Sequence, residues 1–305
     1  MSETILRRGL LAPLFVAGLS AAAVAQQAAK LQGFPTADAA AAALTEAIRR
    51  NDDKAIRAIV GEGWLDFLID EKDDPDRERA AFLAAWDAKH AVVADGNKAT
   101  IEVGNDGWSL PIPLVKDGTE WRFDLVGAEN EVLARQIGHD EYGAIQTLLA
   151  IVDAQDDYVE RDPMKSGWPQ YARRIMNSPG RKDGLYWPAK DGEPASPLGE
   201  ALADSQFDGK APGSHFGYNF RLLHGQGPAA QGGAHSYLVD GRMLGGFAAI
   251  AWPKIYDETG VMTFIVNFQG VVYEKDLGPE TARQAGAISL FNPDQGWKKA
   301  DMTPP

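Results

Sequence analysis

Residues 260–278, with the sequence GVMTFIVNFQGVVYEKDLG, restrict the possible folds more than any other part of the chain. Successive side chains of a β-strand point to opposite faces of its sheet. Here both sets are mainly apolar: Met262, Phe264, Val266 and Phe268 on one face, and Val261, Thr263 and Ile265 on the other. The pattern predicts a central strand covered on both faces, with a tight turn at Gln269-Gly270 leading into a return strand.

The return strand ends in three charged residues, Glu274, Lys275 and Asp276. A lysine between two carboxylates most often forms an exposed ion pair that contributes less than about 1 kcal/mol. We therefore interpret the cluster as the edge of a core hairpin. The alternative is a working site in which Lys275 and Asp276 contact a ligand. A catalytic lysine would additionally need burial and a lowered pKa.

Composition excludes several classes of protein. The chain has 305 residues, 45% of them hydrophobic, which is enough for a sizeable core and for about two domains. Its net charge of −13 disfavours binding to nucleic acids or to anionic lipid headgroups. The absence of cysteine excludes disulfides, thiolate chemistry and cysteine-ligated zinc.

The common catalytic and cofactor motifs are also missing from the sequence. It contains no H-E-x-x-H helix, no phosphate-binding loop, no dinucleotide fingerprint and no G-x-S-x-G turn. We therefore predict no catalytic residue, no metal site and no cofactor. Whether the protein is an enzyme stays open at this point, although these absences favour a non-enzymatic role.

The first 25 residues have the character of a secretory signal peptide. Two arginines precede an apolar run from Gly9 to Leu19, and Ala23-Val24-Ala25 fits the A-x-A cleavage pattern. The apolar run is short for a transmembrane helix. We expect cleavage before Gln26, no membrane insertion afterwards, and a periplasmic or secreted protein.

Residues 26–127 are predicted to form a small α+β module. Thr36 is a suitable N-cap for a helix that reaches Ile48, and a short helix follows to Val60. A third helix is expected from Pro75, with an apolar face formed by Phe82, Leu83, Trp86 and Val93. A strand at KATIEV and a hairpin turning at Asp117-Gly118 complete this module with a small antiparallel sheet.

Residues 128–305 are predicted to form a second α+β module. Its longest helical pattern runs from His139 to Asp162 and ends at Pro163. A connection rich in glycine, proline and serine covers about residues 164–213, and several strands follow it, including a hairpin that turns at Asp240-Gly241. Connections this long are usually functional or ordered by their own packing, and the aromatic residues of this one favour packing: Trp168, Tyr171, Tyr186 and Trp187.

The connection contains the stretch KDGLYWP, residues 182–188. Tyr186 and Trp187 combine large apolar rings with polar tips, as recognition surfaces often require, and Asp183 begins the turn before them. The first hypothesis is an exposed platform for a peptide or sugar. The alternative, which we favour, is that the two rings anchor the long connection to the core.

Three segments carry a resemblance to a known family. GRKDGLYWP (180–188), GGFAAIAWP (245–253) and the 260–278 hairpin resemble recurring segments of the domain-of-unknown-function family 2950. The resemblance covers most of the chain after the signal peptide. It implies no activity, cofactor or partner.

The long helix carries a second resemblance. DEYGAIQTLLAIVDAQDDY (140–158) is similar to the helix of type IV pilins and pseudopilins, with matching positions at Glu141, Ala144, Ile145, Leu148, Ile151, Ala154, Gln155 and Tyr158. Gly217-Tyr218, Ala251-Trp252-Pro253, Gly260 and Phe264 stand where the strands of such proteins carry similar residues. The resemblance implies that a long helix packs on an antiparallel sheet in residues 139–278. Unlike a pilin, this chain places residues 26–139, rather than a membrane helix, before it.

These observations predict a two-module α+β protein of the bacterial envelope. The favoured function is a non-enzymatic module that binds an envelope protein or glycan, with Asp183, Tyr186, Trp187, Lys275 and Asp276 as candidate binding residues. One alternative is a periplasmic hydrolase that uses acidic residues in a cleft between the modules. The other is a structural subunit of a pilus or secretion machine. The sequence does not identify the partner, the substrate or the oligomeric state.

Overall fold

The computed structural model of the chain describes residues 31–64, 74–189, 192–199 and 216–304. The predicted signal peptide and parts of the predicted long connection lie outside these residues. Within them the protein is α+β, as predicted, with helices and mainly antiparallel sheets. The chain divides into two compact units, Met1–Val132 and Leu133–Pro305.

The described part of the first unit contains three helices, the beginning of a fourth, and a five-stranded antiparallel sheet. The helices are α1 (Ala37–Arg49), α2 (Asp53–Val60) and α3 (Pro75–Ala88). The strands are β1 (His90–Asp95), β2 (Lys98–Val103), β3 (Trp108–Ser109), β4 (Leu114–Asp117) and β5 (Glu120–Phe123), in the order β1-β2-β4-β5 with β3 on β2. Apolar side chains of α1, α2 and the sheet form one buried core in this unit.

The ends of these elements follow local chemistry that can be read from the sequence. The Thr36 hydroxyl accepts a hydrogen bond of 3.0 Å from the Ala39 N–H, which confirms the predicted N-cap of α1. Asp52 caps α2 in the same way through the Ala55 N–H. Gly118, with a φ of 61°, forms the predicted turn between β4 and β5.

The predicted apolar face of the third helix is wrong at one position. Helix α3 ends at Ala88, so Val93 lies in β1, where it is 47% exposed. None of the residues of α3 is fully buried; Phe82, Leu83 and Trp86 are only partly covered. Because α3 buries so little surface, packing against the core constrains it weakly. The spacing of its apolar residues is therefore a weak guide to where the helix ends.

The second unit contains one five-stranded antiparallel sheet, several short ladders and a short helix. Its strands are β6 (Arg174–Met176), β7 (Gly184–Tyr186), β8 (Tyr218–Leu223), β9 (Gly225–Gln226), β10 (His235–Ser236), β11 (Leu238–Val239), β12 (Arg242–Met243), β13 (Ala248–Pro253), β14 (Met262–Asn267), β15 (Tyr273–Asp276) and β16 (Lys298–Lys299). The long helix α4 (Leu125–Arg161) begins in the first unit, and helix α5 (Thr281–Ala287) follows β15.

The main sheet has the order β16-β15-β14-β13-β8, which places β14 at its centre. Residues 263–267 of β14 are all buried, so the predicted central strand is confirmed. Phe268 lies beyond the end of this strand and is 39% exposed. The Asp240-Gly241 turn is also confirmed, because both residues have the positive φ that a tight hairpin of this type requires.

Helix α4 contributes one side of the second core. Ala144, Leu148, Ile151, Ala154 and Tyr158 are buried in a single apolar cluster with β8, β13 and β14. The helix begins 14 residues before the predicted start at His139, and it ends at Arg161, next to the predicted stop at Pro163. No helix in the described ranges has both the length and the apolar character needed to cross a membrane.

Parts of the long connection are ordered against α4. The buried Gln155 side chain accepts a hydrogen bond from the Ala172 N–H at 2.8 Å and donates one to the Ala172 carbonyl at 3.0 Å. Strands β6 and β7 pair in parallel, and a Cβ at Gly184 would lie 2.5 Å from the Asn177 backbone nitrogen. This close backbone approach requires glycine and brings residues 185–187 to the core.

Candidate functional site

The five predicted binding residues fall into two different local structures. Asp183, Tyr186 and Trp187 belong to the β6–β7 segment, whereas Lys275 and Asp276 lie at the end of β15. Each group has its own set of contacts, so the two groups are described in turn.

Asp183 holds a turn together. Its carboxylate accepts hydrogen bonds from the Ser178 N–H at 2.7 Å and from the Ser178 hydroxyl at 2.9 Å. Burial opposes ionisation of this carboxyl group, but the hydrogen bonds from Ser178 and the nearby Arg174 outweigh it and lower the pKa of Asp183. The carboxylate is therefore ionised and already used within the protein.

Tyr186 and Trp187 do not form a common exposed platform. Trp187 is only 5% exposed, and it lies with the buried Leu185 in the core of the second unit. Tyr186 is half-buried. Trp187 directly follows the last residue of β7 and is buried, so the two rings do not present one exposed surface to a ligand. The geometry instead agrees with the anchoring interpretation of Trp187.

The charged residues at the end of β15 also separate. Glu274 pairs with Lys298 at 2.9 Å, and this contact raises the pKa of the Lys298 ammonium. Asp276 accepts hydrogen bonds from the Gly278 N–H at 2.7 Å and from the Tyr256 hydroxyl at 3.4 Å. Lys275 points to the other face of the sheet and does not pair with either neighbour. Lys275 therefore forms no ion pair with its two neighbours, and residues 274–276 form the end of the β14–β15 hairpin, as the sequence predicts.

Lys275 lines a cavity of about 400 Å³ on that other face. The walls come from β14, β15, α5 and the segment after α5, and they include Ile265, Leu277, Gln284, Ile288, Asn292 and Trp297. The side-chain oxygen of Asn292, Oδ1, accepts a hydrogen bond from the Ala229 N–H at 2.9 Å. This bond ties the wall after α5 to the loop after β9 and fixes one side of the cavity.

The polar part of the cavity is centred on Lys275 and Trp297. The Lys275 Nζ lies 5.9 Å from the centroid of the Trp297 ring, a cation–π distance. Trp297 would face Lys275 if the β15–β16 ladder continued by one residue, which explains the contact. In the part of the chain that the structure describes, Lys275 forms no ion pair with a carboxylate. The Asp294 carboxylate lines the same cavity, and a Cβ at Gly296 would contact both the Lys275 Nζ and the Asp294 Oδ1, so the cavity contains one group of each charge.

A group of acidic residues lies on the opposite face of the sheet. Glu141 of α4 accepts hydrogen bonds of 2.9 Å from the backbone N–H groups of Val261 and Met262. Tyr218 donates to the Met262 carbonyl at 2.8 Å, and burial, reinforced by the Glu141 and Asp140 carboxylates, raises its pKa. These groups join the helix to the start of β14, which is a structural use of the carboxylates rather than a catalytic one.

A larger cavity of about 480 Å³ lies within the first unit. It is lined by apolar and aromatic side chains, including Phe82 and the exposed Trp108, and by acidic residues at its rim. Two of its lining residues, Trp64 and Pro75, flank residues 65–73, which are outside the described chain. This cavity therefore does not define a site by itself. In the described ranges, no group of three or more metal-ligating side chains is close enough to hold a metal ion.

Comparison with known families places the chain in one of them. The model of the family "Protein of unknown function (DUF2950)" matches residues 31–300. The chain belongs to the DUF2950 family. No curated protein and no solved structure is significantly similar to it.

The DUF2950 match extends over both compact units and includes the cavity beside Lys275. The segments that carried the sequence resemblance, residues 180–188, 245–253 and 260–278, all lie within it. The pilin-type resemblance of α4 and the main sheet receives no support from these comparisons and stays a prediction.

Sequence reasoning missed Trp297 as a site residue of this DUF2950 protein. In the structure the tail after Gly278 contains helix α5 and strand β16. The signal available was a single tryptophan in QGWKK, between a glycine and two lysines. A lone tryptophan in a polar tail indicates a packing or recognition role, but only the β15–β16 pairing places it beside Lys275.

Proposed function

We propose that this DUF2950 protein is a non-enzymatic binding module of the bacterial envelope, and that the cavity beside Lys275 and Trp297 is its binding site. The observation that carries the proposal is a preformed cavity in which the Lys275 ammonium lies next to the Trp297 indole ring and the Asp294 carboxylate. Such a combination of a few polar groups with apolar walls is typical of ligand sites.

The chemistry of the cavity favours binding over catalysis. General acid–base catalysis needs a titratable group that can donate or accept a proton in contact with the substrate. The carboxylates Glu141 and Glu274 lie on the other face of the sheet and are occupied by backbone N–H groups and by Lys298. Asp294, which lines the cavity, accepts a hydrogen bond from the Gly296 N–H at 2.9 Å. The polar side chains at the cavity, such as Gln284 and Asn292, are suited to hydrogen bonding instead.

A binding assay on an array of envelope saccharides and short peptides tests the site. We expect the wild-type protein to bind at least one component, and Lys275→Ala or Trp297→Ala to weaken that binding about tenfold or more, or about 1.4 kcal/mol. The reason is that each change removes one partner of the cation–π pair that lines the cavity.

Two exposed residues of the same unit serve as controls. Lys254→Ala and Trp168→Ala remove the same types of side chain away from the cavity, so both variants should bind as the wild type does. Binding that is unchanged in both cavity variants, or an array on which nothing binds, would contradict the proposal.

Export to the periplasm is the second part of the proposal, and it is supported by the pattern of residues 1–25. We expect mass spectrometry of the protein recovered from the host envelope to show an N-terminus at Gln26, because cleavage follows Ala25 in the A-x-A pattern. A protein recovered from the cytoplasm with Met1 or Ser2 at its N-terminus would contradict this part and leave the cavity proposal unaffected.

The pilus-subunit alternative is favoured by one observation only. Helix α4 packs a row of buried apolar side chains on an antiparallel sheet. Glu141 of this helix accepts a hydrogen bond from the Val261 N–H, directly before β14. This arrangement is also what any α+β domain of this type can form. We therefore place it second to the binding module.

A further inference from the structure

The sheet of the first unit has one edge that the chain itself covers and one that no described strand covers. At the β5 edge, the Phe34 N–H donates to the Trp121 carbonyl at 2.9 Å, and the Trp121 N–H donates to the Phe34 carbonyl at 2.7 Å. Strand β1 forms the other edge, and among the described strands it pairs only with β2. An open strand edge is a template for pairing with another chain.

The outward backbone groups of β1 belong to alternate residues. All residues of β1 pair with β2 without a bulge. The Ile101 carbonyl of β2 accepts a hydrogen bond from the Leu110 N–H, so Ile101 and its alternate neighbours direct their backbone groups away from β1. The residues opposite them, His90, Val92 and Ala94, therefore direct their N–H and C=O groups outward. No described residue forms a hydrogen bond with these groups.

Strand β1 lacks the features that usually prevent pairing at an edge. Natural sheets protect their edges with very short strands, prolines, bulges or lysines. The six residues of β1, HAVVAD, include no proline and no lysine, and Val93 is 47% exposed. By contrast, the edge strand β16 of the main sheet consists of two lysines. Strand β1 is therefore suited to pairing with another strand.

The charges beside β1 select a register for that pairing. Lys89 and Asp95 are exposed and lie at equal distances from Val92 along the chain, one on each side. In an antiparallel pair of two β1 strands centred on Val92, His90 lies opposite Ala94 of the second copy, and Lys89 lies opposite its Asp95. This register uses the outward backbone groups of both strands and places opposite charges together at both ends, which is favourable.

Each of these charged residues also has a neighbour of opposite charge within its own chain. Lys98 lies opposite Asp95 in the hairpin, and Glu102 lies diagonal to Lys89. Neither pair forms an ion pair among the described residues. The pairing does not require isolated charges, because it depends on the symmetric order of a cation and an anion along the edge.

Helix α3 adds an incompletely covered apolar surface beside this edge. Phe82, Leu83 and Trp86 pack with Val92 against the first core, but none of them is fully buried. The Trp86 indole stacks on the His90 imidazole at the edge, with ring centroids 3.9 Å apart and an interplanar angle of 9°. A two-fold axis perpendicular to the sheet places the helices of both copies on the same face, where each covers part of the other's apolar surface.

We propose that two copies of this protein pair through β1 in an antiparallel arrangement centred on Val92, which joins their five-stranded sheets into one continuous sheet. A second copy fits better than a foreign strand because the edge is complementary to itself in charge and in backbone spacing, as a closed two-fold interface requires. The inference is independent of the cavity beside Lys275, since β1 belongs to the first unit.

Sedimentation velocity over a series of protein concentrations tests the dimer. We expect the wild type to change from monomer to dimer as the concentration rises. Ala94→Pro removes an outward N–H group and should raise the dissociation constant at least tenfold. Ala94→Ser is the matched control, because it retains this N–H group, and it should form dimers as the wild type does. Thermal melts should show that both variants are folded.

Charge reversal tests the register. Lys89→Glu places carboxylates opposite each other at both ends of the interface, and Asp95→Lys does the same with ammonium groups. Each variant alone should form dimers about tenfold more weakly than the wild type, because like charges directly opposite each other are destabilising. An equal mixture of the two should form a heterodimer about as stable as the wild-type dimer, because opposite charges then meet at both ends. Lys116→Glu, on β4 of the same sheet, is the control and should leave dimer formation unchanged.

The inference is overturned if the wild type stays monomeric up to about 1 mM. It is also overturned if neither Ala94→Pro nor charge reversal weakens the dimer, because the copies then pair through another surface.

Hydrogen exchange identifies any other occupant of the edge. The outward amides of His90, Val92 and Ala94 should exchange rapidly in the dilute monomer and slowly in the dimer. Slow exchange already in the monomer would show that the chain covers its own edge. A protein that stays monomeric, and in which only an added envelope extract slows these amides, would show that the partner is a strand of another protein. Either result would overturn the pairing of two copies.

Discussion

Phe264→Ala is expected to lower the free energy of unfolding by about 3–5 kcal/mol, which is the usual cost of removing a fully buried phenylalanine ring. Phe264 is 0% exposed at the centre of β14, between β13 and β15. Its ring lies 5.8 Å from the ring of Tyr218. Alanine would leave a cavity in the centre of the sheet, where backbone pairing on both sides limits collapse around it. Chemical denaturation measures this change in the free energy of unfolding, from the midpoint and slope of the variant and of the wild type.

Phe268→Ala provides the matched control for this prediction. The same ring is removed four residues later, where the strand has ended and the side chain is 39% exposed. Its ring makes an edge-to-face contact with the ring of Tyr237, at 6.1 Å between centroids. We expect a loss of about 1 kcal/mol, since partly exposed side chains contribute little to stability. Equal losses at the two positions would show that β14 is not the centre of the core.

Trp187→Ala is expected to destabilise the protein by a similar amount, about 3–5 kcal/mol. The indole is buried in the core of the second unit and lies 5.2 Å beneath the Lys182 ammonium. Losing it should release the segment after β7 from the core. Thermal melts of the variant and of the wild type measure this loss of stability. Binding of the variant to the array component that the wild type binds is then measured at a temperature below the variant's melting midpoint.

Trp187→Phe and Tyr186→Ala separate anchoring from recognition. The indole N–H of Trp187 forms no hydrogen bond to a described residue, so phenylalanine should retain most of the stability. Tyr186 is half-buried, and its replacement by alanine should cost less than that of Trp187. A stable Trp187→Ala variant that has lost all binding would return this residue to the recognition surface and contradict the anchoring interpretation.

Elements whose causes are local could be predicted from the sequence. The N-cap of α1 at Thr36 and the turns at Gly118 and Asp240-Gly241 depend on side chains and dihedral preferences within a few residues. The burial of β14 was also predictable, since its two apolar faces leave few other positions in a sheet. The family was recognisable from three short segments, and the match over residues 31–300 agrees.

Neighbouring residues that share a hypothesis in the sequence separate in the structure. Tyr186 and Trp187, like Lys275 and Asp276, are adjacent in sequence, and in each case a common binding surface is the less favoured of two hypotheses. Trp187 directly follows the last residue of β7 and is buried, whereas the alternation of β15 sends Lys275 and Asp276 to opposite faces. The same alternation of side chains predicts the two apolar faces of residues 261–268.

The sequence by itself determined the α+β class, the caps and turns, the central strand and the acidic, cysteine-free composition, because each depends on local pattern or on totals. Only the tertiary structure decided that Lys275 faces Trp297, that Lys299 lies diagonal to it, and that Lys298 pairs with Glu274. These contacts depend on the register between β15 and β16, which are separated by the 21 residues from Leu277 to Trp297. Register over such a separation is set by the packing of α5 and the tail on the sheet, and no local sequence signal specifies it.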